Sequence, residues 1–254
     1  MTQRVLVTAA ATGIGWTTAL AFAARGDQVH VCDVDEDALG RLASEQPQIG
    51  TTVCDVADEG AVTQLFETAT RGLGGLDVLV NNAGIAGPIA PVEDVDLPGW
   101  RRCLAVNLEA AFLCTRLAAP IMKAQRGGAI VNQSSTAGLF GFATRTSYCA
   151  AKWGVIGLTK AVASELGPYG VRVNAVCPGS VAGERIDRVI ATEAAATGRS
   201  PEAVRAGYAD VNALRTLVAA EDVAACILFL CSPAGARITG QAIPINGHTE
   251  STRS

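Results

Sequence analysis

The stretch RVLVTAAATGIG, residues 4–15, decides how the rest of the chain is interpreted. It contains a short apolar run, Val5–Val7, then a turn of small residues that ends in Gly13 and Gly15, and a helical pattern follows. The run Val5–Val7 is continuously apolar, as expected for a strand that is buried on both faces of a parallel sheet. A strand, a glycine turn and a helix explain residues 5–24 better than a signal peptide does, because Thr and Gly interrupt the apolar stretch.

The same alternation of strand and helix continues along the whole chain. Short β-rich runs occur at Val5–Val7, Gln28–Cys32, Thr51–Val53, Val78–Val80, Ala129–Asn132, Arg172–Val176 and Ala242–Ile245. Helical patterns lie between them, at residues 14–25, 36–45, 58–71, 99–124, 148–167, 184–206 and 220–231. This order predicts an α/β fold, a Rossmann-like doubly wound parallel sheet of about seven strands with helices on both faces.

We find no linker and no repeat, so residues 1–254 are predicted to form a single domain. The polar, Ala-rich segment 183–212 is the best candidate for an insertion that shapes a substrate pocket. It would lie outside the carboxyl ends of the strands, where open α/β sheets bind their ligands.

Charge and composition exclude several classes of partner. The net charge is −4 and no cluster of Lys or Arg occurs, which argues against nucleic acid. No long apolar run predicts a membrane span. The two histidines, His30 and His248, are far apart, so no metal site is expected. The eight cysteines include no C-x-x-C pair, and they favour reduced thiols over disulfides, hence a cytoplasmic protein.

The glycine turn and the second strand together suggest a nucleotide site. Glycines let the backbone approach a pyrophosphate, and a helix N-terminus offers free N–H groups, although a glycine turn alone is weak evidence. Asp33 ends the second strand, 18 residues after Gly15. Its carboxylate would accept both ribose hydroxyls and repel a 2′-phosphate, which favours NAD over NADP. The alternative is that Asp33 caps the next helix, in competition with Asp35.

A second group of residues suggests proton transfer. The sequence YCAAK, residues 148–152, opens a helix and places Tyr148 and Lys152 on one face. The ammonium favours the phenolate and lowers the pKa of the tyrosine from its usual value of about 10. Ser135 follows the fifth strand, where its hydroxyl would hold a substrate oxygen, and Asn107 lies inside a long predicted helix. Taken singly, these residues also fit a surface helix and exposed polar positions.

With these motifs in order, the sequence resembles a short-chain dehydrogenase/reductase. The match extends over residues 4–247, and its pieces are Thr8, Gly13-x-Gly15, Asp33, Asp55, Asn81-Asn82-Ala83-Gly84, Asn107, Ser135, Tyr148-x-x-x-Lys152 and Pro178-Gly179. Each motif alone is weak evidence for the family, but the motifs together, in this order and spacing, are highly specific to it. The resemblance implies an NAD-dependent oxidoreductase that transfers a hydride between nicotinamide and an alcohol or ketone carbon of a secondary alcohol, diol, sugar or hydroxy acid.

The resemblance also implies the role of each residue. Tyr148 transfers the proton, Ser135 orients the substrate oxygen, Lys152 holds the nicotinamide ribose, and Asn107 supports a water that relays protons. Asp55 would contact adenine, and a homotetramer would form partly through the helices that carry Asn107 and Tyr148. The implied cofactor contacts are Thr8, Thr12, Gly13, Ile14, Gly15, Asp33, Asp55, Val56, Asn82, Ala83, Gly84, Tyr148, Lys152, Pro178, Gly179 and Val181.

Three positions depart from the family pattern. Ala9 stands where the family usually has Gly, which costs about 1 kcal/mol if the backbone there needs a positive φ. Gly183 stands where a Thr often contacts the carboxamide. The final strand is followed by Asn246-Gly247-His248 in place of Asp-Gly-Gly, and His248 either approaches a pocket or lies in a surface turn.

The residues that could line the predicted substrate pocket each have two interpretations. An arginine of segment 183–212 could clamp an anionic substrate, but a solvated helix face of mixed charge is the preferred interpretation of those residues. Leu139, Phe140 and Phe142 fit either an apolar pocket wall or the core.

Two rival functions share part of this motif pattern. One is a dehalogenase of the halohydrin lyase type, which resembles this family but has Arg in place of the lysine and lacks the glycine turn. Lys152, Gly13, Gly15 and Asp33 argue against it. The other is a non-catalytic NAD sensor, which typically lacks the Tyr or the Lys, whereas this chain has both.

Overall fold

The computed structural model describes residues 2–249, and its seven strands form one sheet. The strands are β1 Arg4–Thr8, β2 Gln28–Asp33, β3 Gly50–Val53, β4 Val78–Asn81, β5 Gly128–Gln133, β6 Val171–Pro178 and β7 Ala242–Ile245. Their order is β3-β2-β1-β4-β5-β6-β7, and every neighbouring pair is parallel. The strand order reverses between β1 and β4, which opens a crevice at the carboxyl ends of these strands. The predicted doubly wound sheet is therefore confirmed.

The helices connect these strands. They are α1 Gly13–Ala24, α2 Glu36–Glu45, α3 Glu59–Leu73, α4 Leu97–Leu104, α5 Ala110–Gln125, α6 Thr146–Leu166, α7 Glu184–Thr197, α8 Pro201–Ala209 and α9 Ala220–Cys231. A π-helical segment, Ala105–Glu109, joins α4 to α5.

The prediction of one helix over residues 184–206 is wrong, because the chain forms two helices there. Gly198 ends α7 with a φ of 68°, and the Ser200 side chain caps α8, whose first residue is Pro201. A left-handed glycine and a proline at the first helical position are standard stop and start signals.

Alternate residues of β1 face opposite sides of the sheet. Val5 and Val7 pack in a cluster with Phe22 of α1 and Ile227 of α9. Leu6 packs in a second cluster with residues of α3 and α5. Helices therefore cover both faces, which explains why β1 is continuously apolar.

The stretch Leu97–Gln125 is long and apolar enough to cross a membrane by length and composition, with a mean hydropathy of 1.4. It contains α4, the π-helical segment and α5. Ala110, Cys114, Ala118 and Met122 from this stretch are buried against the sheet. A helix of the protein core meets the same criteria, and this packing accounts for the four buried residues.

His30 lies in β2 and is buried, with its Nε2 atom 2.8 Å from the Thr52 hydroxyl oxygen. Burial lowers the pKa of His30 from 6.5 to about 4. Between these two values the unfolded chain binds a proton that the folded chain does not bind. His30 therefore does not reduce the free energy of unfolding above pH 6.5. Between pH 6.5 and pH 4 it lowers that free energy by about 1.4 kcal/mol per pH unit.

We expect His30→Gln to lose this slope relative to wild type. Urea unfolding between pH 4 and 7 measures it, and the carboxylates common to both proteins cancel in the difference. Equal pH slopes for wild type and His30→Gln would contradict the assignment.

Candidate active site

The glycine turn after β1 is shaped for an anion. Gly13 has a φ of 59°, and α1 begins there. No side chain in the described part of the chain caps α1, and its first turn holds no acidic residue. By contrast, the side chains of Asp35 and Asp58 cap α2 and α3. The first N–H groups of α1 thus remain available for a phosphate of the predicted cofactor.

Gly15 and Asn82 hold this turn against the end of β4. A Cβ atom at Gly15 would lie 2.5 Å from the Ala9 carbonyl oxygen and 2.5 Å from Asn82 Nδ2. Asn82 Nδ2 donates to the carbonyl oxygens of Thr8 and Ala9, at 2.9 and 2.8 Å. The Thr8 hydroxyl accepts from the backbone N–H groups of Asn82 and Ala83. These side chains build the loop, whereas their direct contact with a cofactor stays a prediction.

Ala9 adopts a φ of 51°, so the position requires the left-handed backbone that the family's glycine would supply. For an L-residue this conformation costs roughly 1–2 kcal/mol. We expect Ala9→Gly to raise the free energy of unfolding by up to about 1 kcal/mol, because added freedom in the unfolded chain offsets part of the gain.

Urea unfolding of the two proteins measures this difference. Ala11→Gly is the matched control, since Ala11 has no positive φ, and it should only lose stability. A loss of equal size in both variants would contradict the assigned strain at Ala9.

Asp33 points into the turn and does not cap α2, which Asp35 caps. Its carboxylate accepts N–H bonds from Ala11, Val34 and Asp35, at 3.0, 2.8 and 3.2 Å. A carboxylate offers about four acceptor positions, so capacity remains for a ribose hydroxyl. In the described residues no Lys or Arg pairs with Asp33. The helix-cap interpretation is therefore excluded.

Asp55 and Val56 follow β3, at the same edge of the sheet. Asp55 pairs with Arg102 of α4, with 3.0 Å between Oδ2 and Nη2, and accepts from the N–H of Ala57. Val56 is buried in the core. Adenine recognition by this pair stays a prediction.

Tyr148 and Lys152 lie together on α6, as their spacing predicts. Lys152 Nζ is 5.6 Å from the centre of the Tyr148 ring and donates to the Gln133 carbonyl oxygen at 2.8 Å. Lys152 is only 2% exposed, so its charge acts in a largely water-free environment. The structure thus brings together the phenol and the ammonium that the sequence predicts to act as a pair.

The two serines after β5 have different positions. Ser134 is buried, and its hydroxyl donates to the Lys152 carbonyl oxygen at 2.8 Å, which ties α6 to the end of β5. Ser135 is half-buried, and its Oγ accepts from the N–H of Ala137 at 3.2 Å. The Ser135 hydroxyl proton is not used in that bond, which suits the predicted role of holding a substrate oxygen.

Asn107 lies in the π-helical segment, a distortion that is common at functional sites. Its Nδ2 donates to the carbonyl oxygens of Cys103 and Ile85, at 2.9 and 3.0 Å. Its Oδ1 is buried without a partner in the described residues. A Cβ atom at Gly84 would lie 2.9 Å from this oxygen and 3.3 Å from Lys152 Nζ. Gly84 thus keeps open the space between the two side chains.

Asn107 belongs to a cluster of buried amides. The side-chain oxygens of Asn81, Asn107 and Gln133 all lack a partner within residues 2–249. All three residues line one small cavity of about 10 Å³. That volume holds a single water, and buried oxygens of this kind normally bond one. The cavity supports the predicted water beside Asn107.

Pro178 and Gly179 end β6 on the other side of the crevice. Gly179 packs against Asn246, to which an added Cβ atom would come within 3.2 Å. Val181 forms a bridge with Val218. Gly183 has a φ of 134°, so the Thr that the family often has at this position would be strained. Their contacts with nicotinamide stay predictions.

The segment 183–212 carries α7 and α8, which pack together through Ile190, Ala194 and Val204. Arg205 pairs with Asp187, and Arg199 lies 3.6 Å from Glu193. These carboxylates compensate the two arginines, which favours the interpretation as a solvated face of mixed charge. His248 is exposed in a left-handed turn, which favours the surface interpretation there.

Sequence reasoning did not identify Arg145, the residue before α6. Its guanidinium carbon is 4.8 Å from the centre of the Tyr148 ring and 6.0 Å from that of Phe142. Leu139, by contrast, packs with Ile156 and Ala175, and so belongs to the core. The spacing of three between Arg145 and Tyr148 is a signal by which Arg145 was detectable.

Comparisons with known proteins agree with this geometry. The family described as enoyl-(acyl carrier protein) reductase matches residues 8–247. Trans-4-hydroxycyclohexanecarboxylate dehydrogenase of Sinomonas cyclohexanicum is 39% identical, over 95% of this chain and 90% of its own length. The chain is also similar to the crystal structure of NAD+-bound xylitol dehydrogenase, at 31% identity and a TM-score of 0.89, covering 95% of this chain and 96% of that one.

A further solved relative, an actinorhodin polyketide ketoreductase with NADPH, has a TM-score of 0.92 and 30% identity, covering 97% of this chain and 96% of that one. The chain therefore belongs to the short-chain dehydrogenase/reductase family. It is an oxidoreductase of the kind that interconverts alcohols and ketones, and its relatives bind nicotinamide cofactors.

Proposed function

We propose that the protein is an NAD(H)-dependent dehydrogenase or ketoreductase that acts on a secondary alcohol and its ketone. The observation that carries this proposal is the cluster beyond β4 and β5, where Asn107 and the buried Lys152 lie beside the small residue Gly84 and Lys152 also lies beside Tyr148. A bound nicotinamide would accept or supply the hydride. The side chains of the protein then have to hold the reacting oxygen of the substrate and transfer one proton.

In oxidation, Tyr148 as phenolate takes the hydroxyl proton of the alcohol, and in reduction it returns that proton to the carbonyl oxygen. Ser135 donates a hydrogen bond that holds this oxygen beside the phenol. Lys152 stabilises the negative charge on Tyr148. A water at the Asn107 cavity passes the proton onward from Lys152.

The preference for NAD rests on Asp33. Its carboxylate is fixed by three backbone N–H groups at the end of β2 and has no cationic partner in the described chain. A neutral ribose hydroxyl can donate to it, whereas a 2′-phosphate would meet a like charge.

Substrate class, assembly and location are part of the same proposal. The substrate is a secondary alcohol, diol, sugar or hydroxy acid. The relative named for a hydroxycyclohexanecarboxylate supports the last class. Phe112 of α5 and Trp153 of α6 are exposed by 46% and 53%, which supports a homotetramer that meets through these two helices. The eight unpaired cysteines support a cytoplasmic location. The net charge of −4 and the lack of a cluster of Lys or Arg support a small-molecule substrate in place of a nucleic acid.

The first experiment is a screen of absorbance at 340 nm with NAD or NADP and a panel of secondary alcohols, diols, sugars and hydroxy acids, with the ketones run in reverse. A signal with NAD that exceeds the signal with NADP supports the proposal. Binding of NAD without turnover by any substrate would favour the sensor alternative, and absence of NAD binding would contradict the cofactor site.

A further inference from the structure

Arg145 has no acidic partner of its own. Among residues 2–249, no carboxylate forms an ion pair with it. Its Nη2 donates to the Ala86 carbonyl oxygen at 3.2 Å, and its Nε is buried without a partner in that range. A buried N–H of a charged group normally has an acceptor, and one left without it is costly. This guanidinium therefore has unused capacity to bind an anion.

The position of Arg145 ties that capacity to the reacting centre. Arg145, Tyr148 and Lys152 are spaced by three and four residues, so they follow one face of the start of α6. The Arg145 guanidinium lies over the Tyr148 ring at 4.8 Å, with the Phe142 ring close by at 6.0 Å. An anionic group bound to this guanidinium and the oxygen that Tyr148 contacts could therefore belong to the same small substrate.

Two arginines of segment 183–212 lack this capacity. Arg199 and Arg205, in segment 183–212, already lie beside Glu193 and Asp187, and both are more than 40% exposed. An exposed and compensated arginine binds an anion weakly, because it must give up its partner and its water.

We propose that Arg145 is the anion-recognition residue of this active site and that the substrate is a hydroxy acid or oxo acid whose carboxylate binds its guanidinium. The planar guanidinium matches a carboxylate and offers two parallel N–H donors. The inference rests on the proposed function, since it takes Tyr148 as the residue that meets the reacting oxygen.

The test measures binding and turnover separately. Cyclohexanecarboxylate and the neutral cyclohexanecarboxamide, neither of which has an alcohol to oxidise, are titrated by calorimetry into wild type, Arg145→Met and Arg205→Met, with and without NADH. Wild type should prefer the carboxylate, and Arg145→Met should weaken it roughly 10- to 100-fold, while the carboxamide changes little. Arg205→Met should behave as wild type.

Turnover supplies the second measurement. For a hydroxy acid, Arg145→Met should raise KM far more than it lowers kcat, and KM for the methyl ester of the same acid should rise much less than KM for the acid. Arg145→Lys should recover part of the loss with the acid, because it restores the charge and not the two-pronged geometry.

Several outcomes would overturn the inference. One is that wild type does not bind the carboxylate more tightly than the carboxamide. A second is that Arg205→Met weakens carboxylate binding as much as Arg145→Met does. A third is that Arg145→Met loses activity equally on the acid and the ester and shifts the pH profile. The last result would make Arg145 an electrostatic support of Tyr148. Arg145-dependent carboxylate binding without any hydride transfer would instead contradict the proposed function and leave the anion site standing.

Discussion

Tyr148→Phe is expected to lower the rate of hydride transfer by roughly 10²- to 10⁴-fold, the range typical of a lost general acid or base. The phenyl ring keeps the packing beside Lys152 and Arg145, so only the hydroxyl that carries the proton is removed. Binding of NAD should stay nearly unchanged, because the proposed adenosine contacts lie at Asp33 and the glycine turn. Single-turnover absorbance at 340 nm measures the rate, and quenching of protein fluorescence measures cofactor binding.

Tyr169→Phe is the matched control for this experiment, since Tyr169 is a partly exposed tyrosine beyond the end of α6. It should retain the wild-type rate. The pH profile gives an independent check, because oxidation by wild type should speed up as pH rises and Tyr148 becomes phenolate. An unchanged rate in Tyr148→Phe, or a wild-type profile that is flat from about pH 6 to 10 while chemistry limits the rate, would contradict the assigned base.

Asp33→Ala is expected to weaken NAD roughly 10- to 100-fold, since hydrogen bonds to a charged group are among the strongest in proteins. The same change removes the repulsion of a 2′-phosphate, so the ratio of NADPH to NADH affinity should rise. Part of the loss of NAD affinity will come from the three N–H groups that lose their acceptor. Asp33→Asn separates these effects, because it keeps an acceptor oxygen and removes the charge.

Asp35→Asn controls for the general effect of one negative charge near the site. Asparagine caps a helix as well as aspartate does, so α2 should be preserved. Titration with NADH and NADPH should show a changed preference in both Asp33 variants and none in Asp35→Asn. An unchanged preference in Asp33→Asn and Asp33→Ala would remove the basis for NAD specificity.

The sequence by itself determined the sheet, the glycine turn after β1 and the pair on α6. Continuous apolar runs such as Val5–Val7 reveal strands buried on both faces, and glycines at 13 and 15 mark the turn that follows. Tyr148 and Lys152 share a face because helical periodicity places residues four apart on one side. These are properties of neighbouring residues, so reading them requires no knowledge of distant parts of the chain.

Tertiary structure alone decided which polar groups have partners. The positive φ of Ala9 follows from the closeness of the turn to Asn82, which lies 73 residues away. The side-chain oxygens of Asn81, Asn107 and Gln133 have no partner among the described residues because three separate segments bury them around one cavity.

The same is true of charge. Arg205 and Arg145 look equally available in the sequence. Packing of α7 with α8 brings Arg205 beside Asp187, whereas Arg145 lies over Tyr148 and pairs with no carboxylate of residues 2–249. The reason is physical: periodicity and turn preference act between neighbours along the chain, whereas burial and ion pairing depend on which distant groups folding brings together.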